Sequence, residues 1–221
     1  MRPATARALV LDFGGVMSKT LFETHDASEA ALGLAPGTLT WRGPFDLQSD
    51  PLWAAMQRGE ISERDYWLAR SREVGAMIGE EWSDMEQFVR RARGSDPLTV
   101  IRPEAEQATR AVNTAGFKLA ILSNELDLFY GASFRHRLPL LERFDAIVDA
   151  TYTKILKPDL RAYQAVLDRL SLATESCVFV DDQNRNVAGA QACGFKTVHF
   201  DVREPRRCFN EALRYFDLEL E

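Results

Sequence analysis

The stretch Ala8-Leu9-Val10-Leu11-Asp12-Phe13-Gly14-Gly15-Val16 constrains this chain more than any other. Four apolar residues run without polar alternation into a carboxylate, and two glycines follow. An unbroken apolar run of this kind reads as a strand buried on both faces, as in parallel sheets. Asp12 then stands at the carboxyl end of the strand, the edge where open α/β sheets bind ligands. Gly14 and Gly15 let the chain turn sharply and bring bare N–H groups close to an anion. An aspartate placed there can act as nucleophile, as metal ligand or as both. It can equally end a strand or cap a helix, so the rest of the chain has to discriminate.

From about Lys19 to Gly94 the strand pattern disappears. Asp26 to Leu32 is a short helix candidate ended by Gly33, and Thr38 to Pro51 is loop-like with Gly43-Pro44 as a breaker. Asp50-Pro51 opens a helix over Leu52 to Arg58, and Ser62-Glu63-Arg64-Asp65 has the form of a capping start. Trp82 to Ala92 is amphipathic, and Trp53, Trp67 and Trp82 fall on helical stripes that read as core.

Strand and helix then alternate. A helix spans Pro103 to Thr114, and a strand over Phe117 to Leu122 delivers Ser123-Asn124. A helix fragment at Leu138 to Arg143 and a short strand at Ala146 to Val148 follow. Asp159 caps a helix to about Leu170, and the strand Cys177 to Val180 delivers Asp181-Asp182. Val187 to Cys193 is helical, Lys196 to Phe200 is a strand, and Pro205 to Phe216 closes as a helix. The expected fold is α/β, a doubly wound and mostly parallel sheet with an inserted α-helical cap. The expected division is residues 1–18 and 97–221 for the core and 19–96 for the cap.

Composition narrows the partners. The formal charge of −6 and the lack of a long basic run argue against nucleic acid. An anionic substrate would therefore need local positive charge from a lysine or a metal. No apolar run approaches a membrane span, and the residues before Asp12 are too few for a secretory apolar segment. Cys177, Cys193 and Cys208 are odd in number and form no C-x-x-C pair, which fits inert thiols in a reducing cytoplasm.

Three strands thus end in chemistry-bearing groups: Asp12, Ser123-Asn124 and Asp181-Asp182. Strand ends of one parallel sheet converge on one edge. Asp12 with Asp181-Asp182 supplies oxygens for a hard divalent cation such as magnesium. Lys157, ahead of the helix that Asp159 caps, can neutralise a phosphoryl oxygen and keep Asp12 ionised. Ser123 and Asn124, with the N–H groups of Phe13 and Gly14, are donors to phosphoryl oxygens. This is what phosphoryl transfer to an aspartate requires.

The set resembles the haloacid dehalogenase-like (HAD) hydrolase superfamily with a cap of type one. The motifs match in order: Asp12-Phe13-Gly14-Gly15-Val16, Leu122-Ser123-Asn124, Lys157-Pro158-Asp159 and Val180-Asp181-Asp182-Gln183-Asn184-Arg185-Asn186-Val187. The resemblance covers the core; the insert matches in placement and helical character. It implies that Asp12 is nucleophile and magnesium ligand and that the Gly14 carbonyl is a second ligand. Asp182 would be the direct carboxylate ligand of the last motif with Asp181 beside it, and Asn186 would support them. Ser123 and Asn124 would hold the phosphoryl group, and Lys157, rather than nearby Lys154, would stabilise Asp12 and the transferring charge. A small phosphorylated molecule is the implied substrate.

One position departs from the pattern. Most phosphatases of the family carry an aspartate two residues after the nucleophile, where this chain has Gly14. That residue protonates the leaving group and activates water, help worth about 10²–10⁴-fold. Two alternatives therefore stand beside the phosphatase: a dehalogenase that uses Asp12 on carbon, and a catalytically weak protein that binds a phosphorylated ligand. The paired aspartates favour phosphate over halide. His25 and Glu23 are candidate substitutes for the missing acid, although solvated positions are expected for both. Arg42 is read as an exposed loop residue, His199 as structural, and His136 between Arg135 and Arg137 as a solvated helix start.

Overall fold

The computed structural model describes residues 6–93 and 97–221. Residues 1–5 of the expected core and 94–96, where the insert was expected to end, lie outside the described residues. The elements run β1 (Ala8–Leu11), α1 (His25–Leu32), α2 (Pro51–Gln57), α3 (Glu63–Met77), α4 (Met85–Arg93), α5 (Pro103–Thr114), β2 (Lys118–Ser123), α6 (Leu126–Tyr130), β3 (Ala146–Asp149), α7 (Ala150–Thr153), α8 (Leu160–Leu170), β4 (Cys177–Asp181), α9 (Asn184–Ala192), β5 (Lys196–His199) and α10 (Pro205–Leu213), with short 3-10 turns between some of them. Contacts divide the chain into two compact units. One holds Met1–Lys19, Val100–Asp127 and Ser133–Glu221, the other Thr20–Thr99 and Leu128–Ala132.

The first unit is built on a five-stranded sheet in the order β3-β2-β1-β4-β5. Every pairing is parallel. β1 lies at the centre, with all four of its residues buried, as its unbroken apolar run requires. Alternate residues face opposite ways. Ala8 and Val10 pack with Leu122, Val148, Phe179 and the α8 residues Tyr163, Val166 and Leu170. α5 packs on β2 and on α10, and α10 on β5, to cover the opposite face. From β1 the chain proceeds outward through β2 and β3, then returns to lay β4 and β5 on the other side. The order therefore reverses between β1 and β4, and doubly wound sheets bind their ligands at the strand ends of that switch.

The second unit is helical, and its local chemistry follows the sequence signals. The Asp50 carboxylate caps α2 by accepting from the Trp53 N–H at 2.9 Å. It also accepts from the Tyr66 hydroxyl at 2.7 Å and pairs with Arg70 at 2.6 Å. Ser62 and Asp65 form a reciprocal capping box at the start of α3. Trp53, Trp67 and Trp82 are core residues of this unit, packed with Phe22, Trp41 and Tyr66. Phe22 meets Trp41 and Trp53 edge-on at 5.5 and 5.1 Å.

Several elements differ from the sequence expectation. α4 begins at Met85 rather than Trp82, because Asp84 caps it by accepting from the Gln87 N–H at 2.9 Å. α9 begins at Asn184 rather than Val187; its first turn is polar because it serves the site, so an apolar stripe misses it. α6 and α7, of five and four residues, are too short to show a helical period. Phe129, on the last turn of α6, packs edge-on against Trp67 at 5.7 Å within the second unit.

Candidate active site

Asp12 follows β1 directly, and its N–H extends the ladder to the Val180 carbonyl at 2.9 Å. Since Leu11 is level with Val180, Asp12 is level with Asp181 on the neighbouring strand. Phe13–Met17 then forms one wide turn, closed by the Ser18 N–H on the Phe13 carbonyl at 2.9 Å. Gly15 sits in this turn at a φ of 74°. A Cβ there would stand 2.4 Å from Asp182 Oδ2 and push that carboxylate aside, and the positive φ itself favours glycine. Gly14 is different: its φ of −67° and ψ of 131° suit any residue. A Cβ at Gly14 would meet nothing within 4 Å.

Lys157 ties the site together. Its buried ammonium lies 2.9 Å from Asp12 Oδ1 and 2.6 Å from Asp181 Oδ2. Burial alone would pull its pKa down, but the negative charges of Asp12 and then Asp181 outweigh it and raise the pKa above the ordinary lysine value. Asp12 Oδ1 also accepts from the Phe13 N–H at 2.7 Å. Asp181 accepts from the Gln183 N–H at 2.8 Å and from Asn186 Nδ2 at 3.1 and 3.2 Å. The Asn186 carbonyl in turn receives the Tyr163 hydroxyl at 2.7 Å.

The remaining sequence candidates divide. Ser123 is buried at the end of β2, one residue beyond the level of Asp12, and its Oγ accepts from the Glu125 N–H at 3.3 Å. The carboxamide of Asn124 grips the main chain of Lys157, accepting from its N–H at 2.7 Å and donating to its carbonyl at 3.2 Å. The ring of Phe13 is fully buried and meets Phe134 edge-on at 5.9 Å, so this residue can offer a ligand only main-chain groups. Lys154 is exposed, with its ammonium on the Thr151 carbonyl.

Asp12, Asp181 and Asp182 each offer an oxygen, and these atoms lie within 4.8 Å of one another. An all-oxygen donor set is what magnesium or calcium prefers, so the residues fit a hard divalent cation. With one lysine, the three carboxylates leave the cluster at a formal charge of −2, which such an ion would balance.

His25 requires a correction. A solvated position was expected, but the ring is buried in the second unit, 4.5 Å from Trp41 edge-on and 6.1 Å from Phe22. It opens α1 one residue ahead of the helix expected from Asp26, so it lay outside the stretch whose apolar face the sequence could show. Burial, and after it the positive charge of Arg42, lower its pKa to about 4. Glu23 and Arg42 are exposed, as is His136. His199 ends β5, with Nε2 3.1 Å from the Asp182 carbonyl.

Arg135 is the main residue that sequence reading missed. Its guanidinium pairs with Asp127 at 2.7 Å and Asp149 at 2.6 Å. The Asp127 N–H also donates to Asp149 at 3.0 Å, and the Tyr152 hydroxyl donates to Asp127 at 2.6 Å. The network fastens the segment that follows Ser123-Asn124 to the end of β3. No spacing in the sequence announces it, because the partners come from three separate elements.

Comparison with known proteins agrees with this geometry. A family model described as haloacid dehalogenase-like hydrolase matches residues 6–194. Acyl-CoA dehydrogenase family member 10 of Mus musculus is 29% identical over 97% of this chain, which spans only 20% of that protein. Phosphatase MT3486 of Mycobacterium tuberculosis is 29% identical over 88% of this chain and 87% of its own length. Among solved structures, the putative HAD-hydrolase YfnB of Bacillus subtilis, bound to magnesium, has a TM-score of 0.67 at 17% identity. That match covers 96% of this chain and 99% of YfnB, and it shows the shared fold. Other matched proteins are named as phosphatases or as haloacid dehalogenases. No helix among the described residues is long and apolar enough to cross a membrane. With the matched model spanning most of the chain and the parallel sheet carrying its acidic residues at the β1–β4 switch, this chain belongs to the haloacid dehalogenase-like hydrolases.

Proposed function

We propose that the chain is a magnesium-dependent phosphatase that hydrolyses a small phosphorylated molecule through an aspartyl-phosphate on Asp12. The observation that carries this reading is the cluster of Asp12, Asp181 and Asp182, with the buried Lys157 paired to the first two. A phosphate dianion is repelled by a cluster of charge −2, and a divalent cation removes that repulsion. Asp12, Asp182 and the Gly14 carbonyl would hold magnesium, with Asp181 beside them, and the bound ion would neutralise phosphoryl oxygens.

The chain's own residues do the rest. Lys157 and the Phe13 N–H hold one oxygen of Asp12 and keep the carboxylate ionised. The Asp12 carboxylate attacks phosphorus, the bond to the ester oxygen breaks, and the alcohol departs with a proton from solvent. Water then attacks phosphorus, releases phosphate and restores Asp12. Ser123 binds a phosphoryl oxygen through its hydroxyl, and Asn124 fixes the main chain of Lys157. Because Gly14 supplies no acid, turnover depends steeply on how good the leaving group is. Aryl and acyl phosphates are therefore better substrates than alkyl phosphates.

A phospho-ligand-binding protein with slow turnover is the second reading, favoured by Gly14. Phosphate release from p-nitrophenyl phosphate and a panel of phosphate esters separates the two. Magnesium-dependent release that chelator and Asp12→Asn abolish supports the phosphatase. No release from any ester by folded, magnesium-binding protein refutes it, and halide release from 2-haloacids would then identify a dehalogenase.

A further inference from the structure

Arg102 is buried, with 3% of its surface exposed, although it lies at the start of α5 where arginines are ordinarily solvated. Its Nε–H donates to the Gly15 carbonyl at 3.0 Å, across 87 residues of sequence. Its main-chain N–H donates to the Met17 carbonyl at 2.9 Å, so one residue holds the Phe13–Met17 turn at two points. The guanidinium lies over the ring of Phe200, 5.6 Å from its centroid. Just before it, Ile101 bridges Ser18 in antiparallel fashion, and the Lys19 N–H donates to the Val100 carbonyl at 2.8 Å. The segment leaving the Asp12 turn and the segment entering α5 are therefore stitched together, and Arg102 stands at the end of the seam.

The contact matters because of what Gly15 touches. Its Cα faces the Asp182 carboxylate so closely that a methyl group would stand 2.4 Å from Oδ2. Gly15 also shares a peptide unit with Gly14, whose carbonyl is part of the proposed magnesium site. The Gly15 carbonyl belongs to the next peptide unit, hinged to that one at the Gly15 Cα, so holding it fixes the Cα against Asp182 and limits how the Gly14–Gly15 unit can turn. We propose that Arg102 is a positioning residue for the magnesium site, fixing the Gly14–Gly15 turn against Asp182 through its bond to the Gly15 carbonyl. The inference rests on the phosphatase reading above and adds to it a residue outside the family-like motifs.

Groups that orient metal ligands from behind are worth about 10–100-fold in metal affinity. The test uses the whole chain and magnesium alone, following the thermal unfolding midpoint against magnesium concentration. Arg102→Met fills a similar volume without a donor and weakens apparent magnesium affinity about 10–100-fold. Arg102→Lys, which restores a cationic donor, recovers most of that loss. Wild-type affinity in Arg102→Met, or equal weakness in Arg102→Lys, overturns the proposal. Should Arg102→Met fail to fold, Phe200→Leu removes the ring beneath the guanidinium, and an unchanged affinity in that variant overturns the proposal instead. Wild-type protein that binds no magnesium would sink the phosphatase reading itself, a result distinct from either.

Discussion

Replacing Lys157 with methionine tests the electrostatic heart of the site. The Lys157 side chain is 1% exposed, and its ammonium bridges Asp12 and Asp181 at 2.9 and 2.6 Å. Methionine keeps most of the volume, so the loss is almost purely of charge. Breaking a buried ion pair from one side costs about 3–5 kcal/mol, because the remaining charge stays buried. Two carboxylates lose their partner here, which points to the upper part of that range. For a chain of this size each kcal/mol moves the melting midpoint by about 2–4 °C, so calorimetry should find a drop of about 6–20 °C. Magnesium should restore more stability to the variant than it adds to the wild type, because the variant cluster carries one more negative charge.

The pH dependence has a definite sign. The folded pKa of Lys157 lies above its unfolded value of 10.5. Its stabilising contribution is therefore complete below about 10.5 and lost only as pH rises through the folded value. The deficit should therefore be constant from about pH 7 to 9. A drop below about 3 °C at neutral pH, or a deficit that varies between about pH 7 and 9, would refute the reasoning.

Three further outcomes follow from the geometry. Gly14→Asp enters open space at unstrained backbone angles, and should raise turnover of alkyl phosphates about 10²–10⁴-fold; unchanged rates would show that an acid is already supplied elsewhere. Gly15→Ala places a methyl group against Asp182 at a φ of 74°. It should cost about 1–3 kcal/mol in stability and weaken magnesium binding, both measurable by thermal shift. Buried His25 has its pKa lowered to about 4, so its neutral form is fully stabilising above pH 6.5. Between pH 6.5 and 4 it should cost the fold about 1.4 kcal/mol per pH unit, and His25→Phe should remove that slope from denaturant titrations.

The parts of this molecule written along the chain are the local ones. Four apolar residues before Asp12 demand a strand buried on both faces, and β1 is one. Asp50 before Pro51, Ser62 before Asp65 and Asp159 before α8 are caps because each satisfies N–H groups within three residues of itself. The order of the acidic, serine, lysine and paired acidic motifs announces the family for a similar reason, since three of them sit at a strand end and the lysine just ahead of a capped helix, each defined by its own neighbours.

Tertiary structure decided which of these groups meet, and how. Lys157 reaches Asp12 and Asp181 only because the sheet order sets β4 beside β1. Asn124 turns its carboxamide onto the main chain of Lys157, 33 residues away. His25 faces an aromatic core, Arg135 joins Asp127 to Asp149, and Arg102 crosses 87 residues to the Gly15 carbonyl. Hydrophobic periodicity records which side of an element is buried, and caps record where it starts and stops. A buried charge has no such local signature, because its energy depends on partners that only the completed topology brings within hydrogen-bonding distance.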